Sequence, residues 1–241
     1  NQPSGLNINE RCGSTYPGAL KKAVLEHRAD LGIAYDGDAD RVIAVDERGN
    51  IIDGDHIMVI CGLHLRRTSQ LNPPKVVTTV MSNIGLEIAF RREKVEVLSC
   101  QVGDRYVLEK MQESGARLGG EQSGHIIFLD YATTGDGLLS SLKLAEVMRE
   151  TGLPLSELAR EMEQYPQVLI NLDIKDKDSI LNNMEVREAV REAEERLGEW
   201  GKVLVRPSGT EPKIRIMAQG PDEFLLQEVV DKIKAAVLKV K

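Results

Sequence analysis

The sequence is poor in the residues that mark several protein classes. Of its 241 residues three are cysteine, Cys12, Cys61 and Cys100, which stand far apart and form no C-x-x-C pair. This spacing predicts neither a disulfide framework nor a zinc site. Aromatic residues make up only 4% of the chain, and no stretch approaches the roughly 18 consecutive apolar residues of a membrane span. We therefore expect a cytoplasmic protein that does not bind a membrane.

The sequence also has no excess of basic charge. Its 31 lysines and arginines are outnumbered by 38 aspartates and glutamates, which gives a formal net charge of -7, and the cations are spread along the chain. A nucleic-acid-binding domain usually carries a dense basic patch, so we expect no nucleic-acid partner. The hydrophobic content of 41% is sufficient for a globular core.

Strand-like and helix-like segments alternate over the first two thirds of the chain. Apolar runs such as LGIAY and KVVTTV are typical of buried strands, and the amphipathic segments between them indicate helices. This order implies crossover connections and a parallel or mixed sheet. We predict mixed-sheet α/β structure at 1–67, as the C-terminal part of a domain, and in a further domain at 68–165. A small α+β C-terminal domain at 166–241 follows.

The segment DGDADR places Asp36, Asp38 and Asp40 directly after the LGIAY strand, with Arg41 behind them. Three crowded carboxylates repel one another, so we expect a cation there. A calcium loop of the EF-hand type nearly fits, but it needs glycine where Arg41 stands and helices where both flanks read as strands. Hard oxygen ligands without nearby histidine or cysteine favour Mg²⁺ over zinc. The alternative is a solvated acidic turn.

Two further loops carry polar groups suited to a phosphosugar. In GGEQSGH, Glu121 and Ser123 can present an acceptor and a hydroxyl to one polyol, although a plain polar turn is an equal alternative. The segment RPSGTEPKIR favours an anion site over an ordinary turn. It offers planar guanidinium donors, hydroxyl groups and a glycine N–H that no side chain obstructs. The residues concerned are Arg206, Ser208, Gly209, Thr210 and Arg215.

These loops, in this order, resemble those of the α-D-phosphohexomutases over essentially the whole chain. The resemblance implies that the three aspartates hold one Mg²⁺ and that Arg41 lies close to the phosphoryl group in transfer. It also implies that Glu121 and Ser123 contact sugar hydroxyls, that His125 lies beside them in a catalytic position, and that the RPSGTEPKIR loop holds the distal phosphate. In its GEQSGH, VGDRYVLEKM and YATTGDGLLS segments the sequence is most similar to the branch that acts on glucosamine phosphates.

The sequence departs from this family in one respect. Members carry a T/S-A-S-H-N-type loop whose serine bears a phosphate, and no such loop occurs in the 241 residues. We therefore expect a fragment without its N-terminal domain, inactive when isolated, from an enzyme that interconverts glucosamine 6-phosphate and glucosamine 1-phosphate. The alternatives are a mannose or glucose phosphate substrate, or a non-catalytic module that binds Mg²⁺ and a sugar phosphate. The sequence indicates no particular oligomeric state.

Overall fold

The computed structural model of the chain describes residues 5–174, 176–208 and 211–240. The chain divides into two compact units, Asn1–Glu163 and Gln164–Lys241. Within the described ranges, no helix combines the length and the apolar character needed to cross a bilayer.

The first unit contains a small antiparallel sheet that carries the acidic loop. Its strands are β1 (Leu31–Tyr35), β2 (Val42–Asp46) and β3 (Ile51–Ile52), in the order β1-β2-β3, and helix α1 (Gly18–His27) packs beside them. The strand predicted at LGIAY is confirmed. Because Tyr35 pairs with Val42, the DGDADR segment closes a β-hairpin, and its side chains are confined to a small volume.

A second, four-stranded sheet belongs to the same unit. It has the order β5-β4-β6-β7 and consists of β4 (Lys75–Thr79), β5 (Glu96–Cys100), β6 (Leu118–Gly120) and β7 (Ile126–Phe128). Strand β4 is parallel to β5 and β6, whereas β6 and β7 are antiparallel, so the predicted mixed sheet is confirmed. Strand β6 is not expected from the sequence, because its two glycines read as a loop.

The helices of this unit cover the sheets and build its main core. Three of them begin at side chains that cap backbone N–H groups of the first turn, namely Asp53, Asn83 and Asp136, and such caps typically contribute about 1 kcal/mol. Ile57, Phe90 and Leu144 are fully buried in the core between helices and strands. The helices that follow α1 are α2 (Gly54–Arg67), α3 (Ile84–Arg92), α4 (Asp104–Ser114), α5 (Gly137–Thr151) and the short α6 (Leu155–Leu158).

The second unit has its own core, and the α+β fold predicted for it is confirmed. Strands β8 (Gln167–Asp173), β9 (Lys202–Pro207) and β10 (Lys213–Gln219) form an antiparallel sheet in the order β8-β10-β9. Helices α8 (Met184–Leu197) and α9 (Glu223–Lys239) bury their apolar faces against it, and the short α7 (Lys177–Asn182) precedes them. The three-part division predicted from the sequence, with boundaries after 67 and 165, stays a prediction.

Candidate functional site

The acidic loop between β1 and β2 holds three carboxylates close together. One oxygen from each of Asp36, Asp38 and Asp40 lies within 4.8 Å of the other two. The backbone turns at Ala39, which has a φ of +60°. Asp36 Oδ1 accepts a hydrogen bond from the N–H of Arg41 at 3.1 Å. The backbone of the loop therefore holds the carboxylates in a cluster, although each pair repels by up to roughly 4 kcal/mol at an effective dielectric of 20.

The loop fits a hard divalent cation. Asp40 Oδ1 is buried and accepts no hydrogen bond within the described ranges, and Arg41 Nε, 4.0 Å away, is also without one. A buried oxygen without a partner costs free energy unless a ligand engages it. The atoms available as metal ligands are carboxylate oxygens, which Mg²⁺ prefers. Glu47, the twelfth position of a calcium loop, is hydrogen-bonded to Ser156 instead.

The segment 119–125 begins in β6 and turns back towards β7. The N–H of Glu121 donates to the carbonyl of His125 at 2.9 Å, which closes the turn. The Glu121 residue is only 8% exposed, and its Oε1 accepts from the N–H of Gly103 at 2.9 Å. Its Oε2 accepts from the hydroxyl of the exposed Ser123 at 3.3 Å. The two side chains predicted to share a ligand therefore lie side by side.

A second set of bonds ties this segment to the start of α2. Gln122 Nε2 donates to Asp53 Oδ2 at 3.1 Å, and the N–H of Gly54 donates to the Gln122 carbonyl at 3.0 Å. A Cβ on Gly54 would lie 2.1 Å from the carbonyl oxygen of Glu121, so the close approach requires glycine. Asp53 is a part of the site that the sequence did not indicate. Its position as an N-cap before an apolar helix is the only local signal it carries.

The acidic loop and the segment 119–125 meet at a backbone junction. Arg41 and His125 form an isolated β-bridge, and the N–H of Val42 donates to the carbonyl of Gly124 at 3.1 Å. Gly124 has a φ of +95°, and a Cβ there would lie 2.1 Å from the Val42 carbonyl oxygen. The junction therefore requires glycine, and it makes one site of two motifs that are distant in sequence.

His125 connects the two motifs through its side chain as well. It is 2% exposed, its Nδ1 lies 2.9 Å from Asp40 Oδ2, and its Nε2 lies 3.0 Å from the backbone nitrogen of Gly135. The first unit thus brings together every site residue predicted within it, namely Asp36, Asp38, Asp40, Arg41, Glu121, Ser123 and His125.

In the second unit, the predicted phosphate loop connects β9 to β10. Arg206 and Arg215 stand directly opposite each other in this antiparallel pair, so their side chains lie on the same face of the sheet. Burial, and then the charge of Arg215, lower the pKa of the Arg206 guanidinium. Two like charges in this arrangement repel each other, and an anion bound near them would reduce the repulsion.

The surrounding groups hold this loop and leave one nitrogen of Arg215 without a hydrogen bond in the described residues. Arg215 Nε is buried and has no hydrogen-bond partner in the described part of the chain. Glu211 lies 3.5 Å from Arg215 Nη2 but pairs more closely with Lys213, at 2.7 Å. The hydrogen bond and the charge of Lys213 are the main causes that lower the pKa of Glu211. Ser208 is 2% exposed, and its Oγ accepts from the N–H of Glu211 at 3.3 Å.

One further cation reaches this loop. Lys177 Nζ donates to the carbonyls of Ser208 and Glu211, at 2.7 and 3.3 Å. No local pattern could have identified it, because Lys177 lies 31 positions from Ser208 in sequence. The other two predicted phosphate contacts, Gly209 and Thr210, lie outside the described residues.

The fold and its loops define the class to which the chain belongs. Residues 53–165 match the family model of phosphoglucomutase/phosphomannomutase, alpha/beta/alpha domain III, and residues 169–236 match the C-terminal domain of the same family. The chain belongs to the phosphoglucomutase/phosphomannomutase family.

Individual relatives carry a more specific name than the family does. The chain is 67% identical over 237 residues to the phosphoglucosamine mutase of Syntrophomonas wolfei and 56% identical over 240 residues to that of Carboxydothermus hydrogenoformans. These matches cover 98% and 100% of the chain but 53% and 54% of the relatives, so the chain spans about half the length of the curated relatives it matches.

The fold is also similar to that of solved structures. The crystal structure of Aspergillus fumigatus N-acetylphosphoglucosamine mutase in complex with GlcNAc-6P and magnesium matches with a TM-score of 0.75 and 18% identity. The match covers 98% of this chain and 58% of that one. At this level of identity the likeness shows the fold alone.

Proposed function

We propose that the protein takes part in the phosphoglucosamine mutase reaction, the interconversion of glucosamine 6-phosphate and glucosamine 1-phosphate. The observation that carries the proposal is the junction where the acidic loop and the segment 119–125 share one site through His125 and Asp40. The identity of 67% to a relative named phosphoglucosamine mutase favours the amino sugar over mannose or glucose phosphate. Because the chain spans about half of such relatives, we assign the complete reaction to the whole protein.

In this proposal Asp36, Asp38 and Asp40 hold Mg²⁺, which would neutralise charge on the phosphoryl group in transfer. The Arg41 side chain is 42% exposed and its Nε has no hydrogen-bond partner among the described residues. Its guanidinium is therefore available to bind phosphoryl oxygens with charge-assisted hydrogen bonds. The buried Asp40 Oδ1, which accepts no hydrogen bond from the described residues, supports the same assignment.

Glu121 and Ser123 would bind the sugar. The hydrogen bond from Gly103 fixes one oxygen of Glu121, and the other lies beside the Ser123 hydroxyl. A carboxylate beside a hydroxyl offers an acceptor and a group that both donates and accepts. This combination suits a substrate whose two ends must alternate at the reacting position, because different sugar hydroxyls then face the same protein groups.

Arg206, Ser208 and Arg215, with Gly209 and Thr210, would hold the phosphate that is not being transferred. The paired arginines on one face of the β9–β10 hairpin support this assignment. The reaction also needs a phosphoserine donor, and the T/S-A-S-H-N-type loop that bears it in the family does not occur in the 241 residues. We therefore propose that this chain alone binds its ligands without turnover.

Thermal melts with and without Mg²⁺ test the metal assignment. Wild type should melt at a higher temperature with Mg²⁺. Without metal, Asp36→Asn/Asp40→Asn should melt above wild type, because the repulsion is relieved, and Mg²⁺ should not raise its melting temperature further. The control Glu113→Gln/Asp130→Asn removes the same charge from exposed ion pairs and should respond as wild type does. An equal response to Mg²⁺ in all three proteins would contradict the proposal.

A further inference from the structure

The segment 119–125 contains a tight turn whose two central residues differ in exposure. The N–H of Gly124 donates to the carbonyl of Glu121 at 3.0 Å. Gln122 and Ser123 therefore lie at the centre of a β-turn. Ser123 is exposed, whereas Gln122 is partly buried. The turn presents one central side chain to solvent and holds the other against the protein.

The N-terminus of α2 holds the buried side of this turn. Gln122 is bonded to it twice, because its Nε2 donates to Asp53 Oδ2 at 3.1 Å and its carbonyl accepts from the N–H of Gly54 at 3.0 Å. A Cβ on Gly54 would lie 2.7 Å from the nitrogen of Gly124, so the two backbones are in contact. Gln122 is therefore tied to α2 through both its side chain and its main chain.

Asp53 is itself held in one orientation. Its Oδ1 accepts from the backbone N–H of His56 at 3.1 Å and lies 2.7 Å from Nδ1 of the same histidine. The side chains of Asp53 and His56 are only 16% and 9% exposed. Because the first turn of α2 engages Oδ1, the other oxygen has a fixed position beside Gln122. A side chain fixed by its own hydrogen bonds can fix the group that it contacts.

We propose that Asp53 is a positioning residue for the turn that binds the sugar. It holds the Gln122 side chain against α2 and so fixes the turn in the conformation that places Glu121 and Ser123 side by side. Gln122 then serves as the anchor of the turn and not as a contact to the sugar. A turn that is fixed before binding loses less conformational entropy when the ligand binds. The inference rests on the proposed sugar-binding role of Glu121 and Ser123 and adds the residues that support them.

Two substitutions remove the hydrogen bond from opposite sides. Asp53→Ser can still cap α2, but its single oxygen is then occupied and none is left for Gln122. Gln122→Met keeps a side chain of similar length without the amide. Each should raise the Kd for glucosamine 6-phosphate about tenfold, the usual effect of losing one hydrogen bond to a charged group, in titrations of the ¹⁵N-labelled chain followed at the Ser123 amide. The double variant should bind as weakly as either single variant, because both changes remove the same contact.

A conservative variant and a matched control separate positioning from a loss of helix stability. Asp53→Asn can cap α2 with its oxygen and donate from its amide to Oε1 of a rotated Gln122, so it should retain most of the affinity. Asp222→Ser makes the serine replacement at the N-cap of α9, where Asp222 accepts from the N–H groups of Phe224 and Leu225. It should bind glucosamine 6-phosphate as wild type does.

Additive losses of affinity in the double variant would overturn the proposal, and so would wild-type affinity in Gln122→Met. The latter leaves the α2 cap intact and decides the question if Asp53→Ser does not fold. Glu121→Gln separates this result from failure of the proposed sugar site. If Glu121→Gln weakens binding and Gln122→Met does not, only the positioning role is wrong; if neither does, the assignment of the sugar to this turn is itself wrong.

Discussion

Asp55 is a buried carboxyl group beside the candidate site whose ionisation opposes folding. It lies in the first turn of α2, it is 0% exposed, and its Oδ2 accepts from the N–H of Asn83 at 2.8 Å. Burial, and then the charge of Asp53, raise the pKa of Asp55 from 3.8 to about 7. Because this pKa is higher in the folded state, the folded protein binds the extra proton, and the contribution of Asp55 to stability becomes less favourable as the pH rises from about 4 to 7.

Asp55→Asn should remove this pH dependence. The amide cannot ionise, so the free energy of unfolding at pH 8 should rise by on the order of 2 kcal/mol, and at pH 4 it should change little. Urea unfolding at a series of pH values measures the effect. Glu113→Gln, at an exposed position on α4, should leave the slope between pH 4 and 7 unchanged. The same slope in Asp55→Asn as in wild type would show that Asp55 is not the titrating group.

The glycine at the junction of the two loops should be much less replaceable than a glycine at a helix end. Gly124 and Gly152 both have positive φ, but a Cβ on Gly124 would meet the Val42 backbone, whereas nothing lies within 4 Å of one on Gly152. We expect Gly152→Ala to cost about 1 kcal/mol of stability and Gly124→Ala at least twice that. Equal losses in chemical denaturation would mean that the junction adjusts freely.

The facing arginines of β9 and β10 predict how phosphate binding responds to substitution. Arg206→Leu removes one of the two guanidinium groups assigned to the phosphate. It should weaken phosphosugar binding about tenfold or more, because charge-assisted hydrogen bonds contribute roughly 1.5 to 3 kcal/mol. Arg215→Lys should retain only part of the wild-type affinity for the phosphosugar, since an ammonium group cannot form the paired, planar hydrogen bonds of a guanidinium group.

A matched control for this pair is Arg191→Leu, which removes an arginine from the exposed side of α8. It should leave phosphosugar binding unchanged. Loss of stability without loss of binding in Arg206→Leu would show that the strand pair is structural and that the phosphate binds elsewhere.

The helices and strands that the sequence predicted are those with strong periodicity. LGIAY and KVVTTV follow the pattern expected of buried strands, and both are confirmed. Strand β6 was not predicted, because glycine does not favour strands. Its pairing with β4 and β7 nevertheless buries all of its residues. Pairing with neighbouring strands outweighs local propensity here.

The chain as a whole should bind ligands but not catalyse the reaction. In a coupled assay with glucosamine 6-phosphate, a sugar bisphosphate and Mg²⁺, the 241-residue chain should give no turnover, because it has no phosphoserine loop. Turnover that Asp38→Ala abolishes would show that a nucleophile is present in the chain.

Only those parts of the candidate site that form a pattern within a short stretch of sequence could be predicted. Asp36, Asp38 and Asp40 form a compact pattern at the end of a strand, so the sequence alone indicates a cation. The contact between Asp40 and His125 joins residues 85 positions apart, and that between Asp53 and Gln122 joins residues 69 apart. Such contacts depend on how the sheets pack, which no local pattern specifies.

Binding of glucosamine 6-phosphate is the most direct test of the central claim, that this chain carries phosphosugar-binding loops. The substrate should be titrated into the ¹⁵N-labelled chain with Mg²⁺ present, while the amide shifts of Ser123, Gly124 and Ser208 are followed. We predict shifts in both the segment 119–125 and the phosphate loop, and smaller shifts with glucosamine, which has no phosphate. Unchanged shifts in both loops at millimolar substrate would contradict the claim.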